Sequence, residues 1–161
     1  MCQVQHQLQR IRLLIADSPE IMLSARFAIQ EHGQGNYRLE WAPRMSDGLV
    51  RIRDGGVDII LLDLGTKESS GLERFVWARV VAPLIPIVTV TNDPDDFTEE
   101  AIRALGADDY LEKDRLSGSQ LCECLHSVLA RKKKTESKVL KEHLCCVSAR
   151  NRGWILDRAK L

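Results

Sequence analysis

The sequence predicts an α/β protein in which a doubly wound, five-stranded parallel sheet carries helices on both faces. Apolar segments of strand character alternate five times with segments whose apolar residues recur at helical spacing. The stretch 59–62 is continuously apolar, which is typical of a strand buried on both faces. Because crossovers between parallel strands are right-handed, these elements predict one compact domain over about residues 11–131.

Each predicted strand is bounded by polar or turn-forming residues. The first apolar run ends at Asp17, and the third runs directly into Asp63 before glycines and serines break the pattern. The predicted strands are 11–16, 37–42, 57–63, 85–90 and 109–111.

The intervening helices have their own start and stop signals. Ser18-Pro19-Glu20 combines a cap residue, a proline at the first helical position and an acid in the first turn, and Gly33 ends that helix. Ser46 is predicted to cap the second helix, Asp93-Pro94 to cap the fourth, and Ser119 to begin the fifth. The apolar residues predicted to face the sheet are Ile21, Ala25, Ala28 and Ile29; Leu49, Val50 and Ile52; Leu72, Phe75, Val76 and Val80; Phe97, Ala101, Ile102 and Leu105; and Leu121, Leu125, Val128 and Leu129.

Charge is distributed unevenly along a chain that is neutral overall. Residues 1–130 carry 13 basic against 20 acidic side chains, a net of −7, and residues 131–161 carry 10 against 3, a net of +7. The five cysteines lack zinc-ligand spacing and include the adjacent pair Cys145-Cys146, so they predict free thiols in a reducing compartment. No signal-peptide pattern is present and no apolar stretch approaches the ~20 residues of a membrane span, so we predict a cytoplasmic protein.

Four polar side chains lie at or just after the ends of predicted strands. Because the strands are parallel, these ends share one edge of the sheet. The four residues are Asp17, Asp63, Thr91 and Lys113, after the first, third, fourth and fifth strands. Any one of them alone is explained as a helix cap or a solvated side chain. Ligands of open parallel sheets bind just beyond the carboxyl ends of the strands, so the convergence of all four predicts a functional site.

These residue types suit phosphoryl transfer. Two carboxylates can hold a divalent cation, and Mg²⁺ takes one or two carboxylates together with phosphate oxygens and water. A carboxylate can itself accept a phosphoryl group and form an aspartyl phosphate. A hydroxyl and an ammonium group nearby can hold the oxygens of the transferred group, because this reaction depends on positioning and charge neutralisation.

The segments around these residues resemble the receiver domain of bacterial two-component response regulators, the CheY-like family. The resemblance covers about residues 11–131 and implies a flavodoxin-like sheet with strand order 2-1-3-4-5. It is carried by Leu13-Leu14-Ile15-Ala16-Asp17-Ser18-Pro19, by Asp58-Ile59-Ile60-Leu61-Leu62-Asp63-Leu64 with Gly71-Leu72-Glu73, by Val90-Thr91, and by Gly106-Ala107-Asp108-Asp109-Tyr110-Leu111-Glu112-Lys113.

The resemblance implies a role for each residue of the site. Asp63 would accept a phosphoryl group from a sensor histidine kinase or a phosphotransfer protein. Mg²⁺ would be held by Asp17, Asp63 and the backbone carbonyl of Gly65, and Thr91 and Lys113 would contact the phosphoryl group. The only catalysis implied is the domain's own phosphoryl transfer and dephosphorylation, which is not the activity of a stand-alone enzyme.

The resemblance also implies a switch and a surface that presents it. Tyr110 would be the aromatic residue whose position changes together with Thr91. Residues 96–130 would then contact a downstream protein, or a second copy in a homodimer.

The sequence departs from the family pattern at two places that bear on function. The family has two adjacent acids after the first strand, and one is missing: alignment on Pro19 makes Ala16 the replaced acid, and the other register makes it Ser18. Lys113 is followed by Asp114 where proline is usual.

The missing acid supports an alternative, a degenerate pseudo-receiver that acts as a phosphorylation-independent interaction module. An FMN-binding flavodoxin-like protein is disfavoured because no phosphate-cradling loop follows the first strand.

The sequence outside the α/β domain divides into an N-terminal arm (1–10) and a basic C-terminal extension (132–161), which we predict to be helical. After the cations of 131–134, apolar residues recur at helical spacing and predict a second amphipathic helix. We predict that the extension is a contact element that docks on an acidic surface, the alternative being a solvated charge run. Nucleic acid is a disfavoured partner because the basic residues are few and no reading motif is present.

Overall fold

The computed structural model describes residues 11–16, 18–32, 37–65, 71–92 and 99–157, and the backbone alone beyond residue 142. The strands are β1 (Ile11–Ala16), β2 (Tyr37–Ala42), β3 (Ile59–Asp63), β4 (Ile87–Thr91) and β5 (Asp109–Glu112). The helices are α1 (Pro19–His32), α2 (Met45–Arg53), α3 (Gly71–Val81), α4 (Glu99–Ala104) and α5 (Gly118–Asp157). All strand pairs are parallel and the order is β2-β1-β3-β4-β5, so the predicted fold class and strand order are confirmed.

β3 is the central strand, and all five of its residues are buried. It pairs with β1 on one side and β4 on the other. Alternate side chains of a strand point to opposite faces, so Ile60 and Leu62 share one face. They belong to one cluster with residues of α2, α3 and α4, which includes Ile52, Phe75, Ala78 and Ile102. Full burial of each such Leu or Ile contributes roughly 1.5–3 kcal/mol, so β3 is held firmly in place.

The opposite face is covered by α1 and the first turns of α5. The alternating residues Ile59 and Leu61 are fully buried there. α1 and α5 meet where the Cys122 thiol donates to the backbone carbonyl of Ala28, at 3.7 Å. Cys122 is a free thiol, as predicted, and burial raises its pKa, which makes it a poor nucleophile.

The start of α1 forms as the sequence predicts. The Ser18 side chain is buried, and its hydroxyl accepts a hydrogen bond from the backbone N–H of Ile21 at 3.3 Å. This bond satisfies one of the free donors of the first turn and fixes where the chain leaves β1. The residues predicted to face the core from this helix are all buried: Ile21, Ala25, Ala28 and Ile29.

Two helices differ from the prediction: α2 in the residue at which it begins, and α3 in the side that is buried. α2 begins at Met45, and Arg44 occupies the cap position without a side-chain hydrogen bond, so Ser46 is not the cap. In α3 the buried residues are Gly71, Arg74, Phe75 and Ala78. A Cβ at Gly71 would overlap the backbone carbonyl of Leu64, so this glycine allows close approach and sets which face of α3 is inward.

Several apolar residues that were expected to face the core are exposed, and the orientation of α3 accounts for the two on that helix, Val76 and Val80. The predicted inward positions that are exposed are Val50, Val76, Val80, Ala101 and Leu105. β4 begins at Ile87, two residues later than predicted, after Pro86, which has no N–H to donate to a neighbouring strand. The predicted cap Asp93-Pro94 and the predicted core residue Phe97 lie outside the described residues.

The chain divides into two compact units, residues 1–128 and residues 129–161. Within the described residues, the second amphipathic helix predicted for the extension is not a separate helix, because α5 continues without a break to Asp157. Ion pairs at i,i+4 spacing support this stretch, Lys132–Glu136 at 3.9 Å and Lys138–Glu142 at 4.0 Å. Across the described parts of the chain, no helix has the length and apolar character needed to cross a membrane.

Candidate functional site

The strand registers bring three of the four predicted strand-end residues to one edge of the sheet. Asp63 is the last residue of β3 and pairs with Val90, the residue before Thr91. Thr91 in turn pairs with Glu112, the residue before Lys113. Asp63, Thr91 and Lys113 therefore follow one another across adjacent strand ends. The fourth predicted residue, Asp17, lies outside the described residues.

Asp63 is a carboxylate buried to 1% exposure and held by an ion pair. The Lys113 Nζ lies 2.5 Å from Asp63 Oδ2, and the Lys113 side chain is 14% exposed. Oδ1 accepts a hydrogen bond from the backbone N–H of Gly65 at 2.9 Å. Oδ2 has no aligned hydrogen-bond donor among the described residues, so charge pairing with Lys113 is its main stabilisation. A buried carboxylate is costly unless it is paired, so burial of Asp63 depends on this ion pair.

The absence of a side chain at Gly65 leaves a small space beside this carboxylate. A Cβ at that position would lie 3.5 Å from Asp63 Oδ1, 3.8 Å from the backbone nitrogen of Asn92 and 3.9 Å from Lys113 Nζ. One point next to the carboxylate is therefore bordered by an ammonium group and a backbone nitrogen. Such groups stabilise an oxyanion when they are fixed in place beforehand.

The backbone nitrogen of Asn92 is a site group that the sequence did not reveal. Side-chain identity carries no information about a backbone donor, and the residue stands out in the sequence only because it follows the end of β4. Thr91, just before it, is buried to 1% exposure at the strand end. Tyr110, in the neighbouring strand β5, is partly buried and packs against the core cluster formed with α2, α3 and α4.

The residues present suit Mg²⁺ in kind but supply few ligands. Mg²⁺ prefers oxygen donors, and Asp63 offers a buried carboxylate whose Oδ2 carries no aligned hydrogen bond. Within the described ranges, no group of three or more His, Cys, Asp or Glu side chains could hold a metal ion. An ion at this edge would draw on Asp63 and a backbone carbonyl, with phosphate and water oxygens completing its coordination.

The loop that carries Lys113 is well defined. Residues Lys113–Arg115 form a single turn of 3-10 helix directly after β5. All described peptide bonds are trans, including the bond between Lys113 and Asp114, where the family has proline. The register of β5 with β4, and this turn, are what carry the ammonium group back to Asp63.

A doubly wound parallel sheet whose central strand ends in a buried, lysine-paired aspartate defines the receiver class of signalling domains. The model of the family described as "Response regulator receiver domain" matches residues 13–126. The chain belongs to this family, the receiver domains of two-component response regulators, and the resemblance drawn from the sequence is confirmed.

The relatives of known name include two bacterial regulatory proteins. The chain is 29% identical over 103 residues to the swarming motility regulation protein RssB of Serratia marcescens, covering 63% of this chain and 45% of that protein. It is 26% identical over 130 residues to the transcriptional regulatory protein CreB of Escherichia coli, covering 80% of this chain and 55% of that protein. The chain thus spans about half the length of these relatives.

Solved structures show the same fold. A CheY-like receiver domain protein of Methanospirillum hungatei is 24% identical with a TM-score of 0.66, and the match covers 78% of this chain and 98% of that one. The chemotaxis response regulator CheY4 of Vibrio cholerae is 21% identical with a TM-score of 0.61, and the match covers 74% of this chain and 98% of that one.

Proposed function

We propose that this domain is a phosphorylation-dependent switch that accepts a phosphoryl group on Asp63 from a histidine kinase or a phosphotransfer protein. The observation that carries the proposal is the buried Asp63 carboxylate, 2.5 Å from the Lys113 ammonium group. This carboxylate has one oxygen held by the backbone N–H of Gly65 and the other paired with a cation, at the sheet edge where ligands of parallel sheets bind.

The proposed chemistry is in-line transfer to a carboxylate oxygen. An oxygen of Asp63 attacks phosphorus, the bond from phosphorus to the donor's imidazole nitrogen breaks, and the electron pair leaves with the imidazole. Lys113 and the backbone N–H of Asn92 neutralise charge on the phosphoryl oxygens, and the Thr91 hydroxyl donates to one of them. Asp17, Asp63 and the Gly65 carbonyl would hold Mg²⁺, which when bound would supply further positive charge to the phosphoryl group.

Intact-mass measurement with acetyl phosphate and Mg²⁺ tests this function directly. We expect the mass to rise by a single phosphoryl group, and the gain to disappear when EDTA removes the metal. No gain at any donor or Mg²⁺ concentration would instead support the pseudo-receiver alternative, which the missing acid beside Asp17 favours.

Mg²⁺ binding is expected to be weak, because the site has one carboxylate fewer than the family pattern. Ala16→Asp is predicted to tighten Mg²⁺ about tenfold or more, since another unit charge about 4 Å from a divalent ion contributes roughly 2 kcal/mol even in water. Calorimetric titration measures this, with Ala16→Asn as a neutral variant of similar size. If Ser18→Asp tightens the ion and Ala16→Asp does not, Ser18 marks the missing acid.

Phosphorylation is expected to change the environment of Thr91 and Tyr110 together. Movement of the Thr91 hydroxyl toward the phosphoryl group would leave space for Tyr110, which is only partly buried, to turn inward. Hydrogen exchange measured with and without acetyl phosphate should therefore differ in β4 and β5. A difference confined to the segment after Asp63 would count against this coupling.

The surface expected to carry the signal to a downstream partner is residues 96–130. A groove of about 450 Å³ lies within it and lets a partner contact β5 and α5 together. Its lining mixes acidic, polar and apolar side chains: Tyr110, Leu111, Glu112, Leu116, Gln120, Glu123, Cys124 and Ser127. Because Tyr110 lines this groove, a change in its position alters the surface that a partner meets.

The basic extension is proposed to be a contact element for an acidic surface. Along α5 beyond residue 131 the described charges are mainly basic, and Val139 and Leu140 are exposed. Deletion of residues 132–161 should leave phosphorylation of Asp63 intact and remove partner binding. That binding should weaken with added salt, since exposed charge contacts are screened over ~8–10 Å at physiological ionic strength. If the shortened chain fails to fold, the extension belongs to the domain core.

A further inference from the structure

Helix α3 carries an apolar surface that the fold does not use. Its outward side presents Val76, Trp77, Val80 and Val81, and Leu84 follows in the turn after the helix; we call these five residues the α3 stripe. Trp77 is 62% exposed, Val80 74% and Leu84 83%. The four helical positions recur at i, i+1, i+4 and i+5, so they form one continuous side of the helix.

The α3 stripe is distinct from the core-facing side of the same helix. Gly71, Arg74, Phe75 and Ala78 are the buried residues, on the side of α3 away from the α3 stripe. Single exposed apolar residues are ordinary on protein surfaces, but five adjacent ones form a patch of the kind that marks an interaction site. The α3 stripe also lies outside residues 96–130, so the proposed signalling surface does not account for it.

Charge is absent along the α3 stripe. Arg74 is buried, and Arg79 turns away to bond the carboxylate of Asp108 at 2.9 Å and the backbone carbonyl of Gly106. Glu73, one turn before Val76, is the exposed charge at the N-terminal end. A partner selected by charge would need complementary groups along this surface, and between residues 75 and 84 no exposed charged residue is available to attract it.

We propose that the α3 stripe is a self-association surface on which a second copy of this chain docks, with the two α3 helices antiparallel across a twofold axis near Val80. In a twofold interface each residue near the axis meets its own counterpart, so an uncharged centre avoids like-charge repulsion. The antiparallel arrangement also places the two Glu73 side chains at opposite ends. Val80 lies midway between Val76 and Leu84, which places it closest to the axis.

The size of the patch sets the expected strength of the dimer. Stable interfaces bury about 800 Å² and involve roughly 20–30 residues on each partner, and the five residues of the α3 stripe fall well below this. A reversible dimer with a dissociation constant on the order of micromolar is therefore expected. Trp77 is the expected anchor, because tryptophan is enriched among the residues that dominate interface energies.

Sedimentation velocity of the full chain over a range of concentrations tests this inference without any phosphoryl donor. The wild type should show a concentration-dependent dimer, and Val80→Glu should weaken it at least about tenfold. Phe27→Glu is the matched control, because Phe27 is 64% exposed on α1 and should leave the dimer unchanged. Circular dichroism of each variant verifies that the fold is retained.

Mixing two charge variants provides the sharper test. Val80→Glu alone and Val80→Lys alone should both associate at least about tenfold more weakly than the wild type, and an equimolar mixture should associate more strongly than either, because only the mixed pair places opposite charges at the axis. A wild type that stays monomeric at every concentration overturns the inference. A dimer that persists in both Val80 variants also overturns it. If that dimer is lost with Leu140→Glu, the chain associates through the extension and not through the α3 stripe. None of these results depends on whether Asp63 accepts phosphate.

Discussion

Asp63→Asn is expected to abolish phosphorylation by acetyl phosphate, with no mass gain above background under conditions that modify the wild type fully. The substitution removes the carboxylate oxygen that would form the acyl phosphate bond and keeps the size of the side chain. It also leaves the Lys113 ammonium group, 14% exposed, without its charge partner, so circular dichroism is needed to verify that the variant is folded. Loss of phosphorylation in a folded protein would then report chemistry and not unfolding.

Asp114→Asn is the matched control for this experiment. Asp114 follows Lys113 directly and is exposed, so it shares the neighbourhood of the site without its burial. It should accept no phosphoryl group itself, and its substitution should leave the mass gain of the protein unchanged. If Asp63→Asn gains the same mass as the wild type, the phosphoacceptor is another residue and the assignment of this site is wrong.

The strands and their order were predictable because the signals behind them are strong. The apolar run before Asp63 is continuous, and a buried parallel strand is the usual way to use such a run. Once the strands are parallel, their carboxyl ends share one edge, so the meeting of Asp63, Thr91 and Lys113 follows from connectivity. No distance between these residues could be read from the sequence, and the ion pair to Lys113 emerges only with the turn after β5.

There is a physical reason why the outward side of α3 could not be predicted from the sequence. The helix has apolar residues on both sides, so periodicity alone cannot choose which side is buried. Close approach of Gly71 to the backbone of Leu64 makes the choice, and that is a contact between segments. The same limit applies to Asn92, whose contribution to the site is a backbone nitrogen. Sequence patterns record which side chains are apolar, and they do not record how two backbones meet.

Lys113→Met is predicted to lower the free energy of unfolding by roughly 3 kcal/mol, because removing one partner of a buried ion pair leaves the other charge buried and unpaired. Asp63 is buried to 1% exposure, and Lys113 is its charge partner at Oδ2. Urea denaturation at neutral pH measures the change. Methionine keeps most of the length of the lysine stem, so the loss reports charge more than packing.

The same substitution in the Asp63→Asn background separates the ion pair from other effects of Lys113. Without a carboxylate at position 63, Lys113→Met should cost less than about 1 kcal/mol, and the difference between the two backgrounds is the coupling energy of the pair. Arg103→Met provides the exposed comparison: Arg103 contacts Asp109 at 2.9 Å with its side chain 43% exposed. Surface pairs of that kind contribute about 0–1 kcal/mol, so its loss should be small in either background. Equal costs for Lys113→Met with Asp or Asn at position 63 would show that Lys113 stabilises the fold without pairing to Asp63.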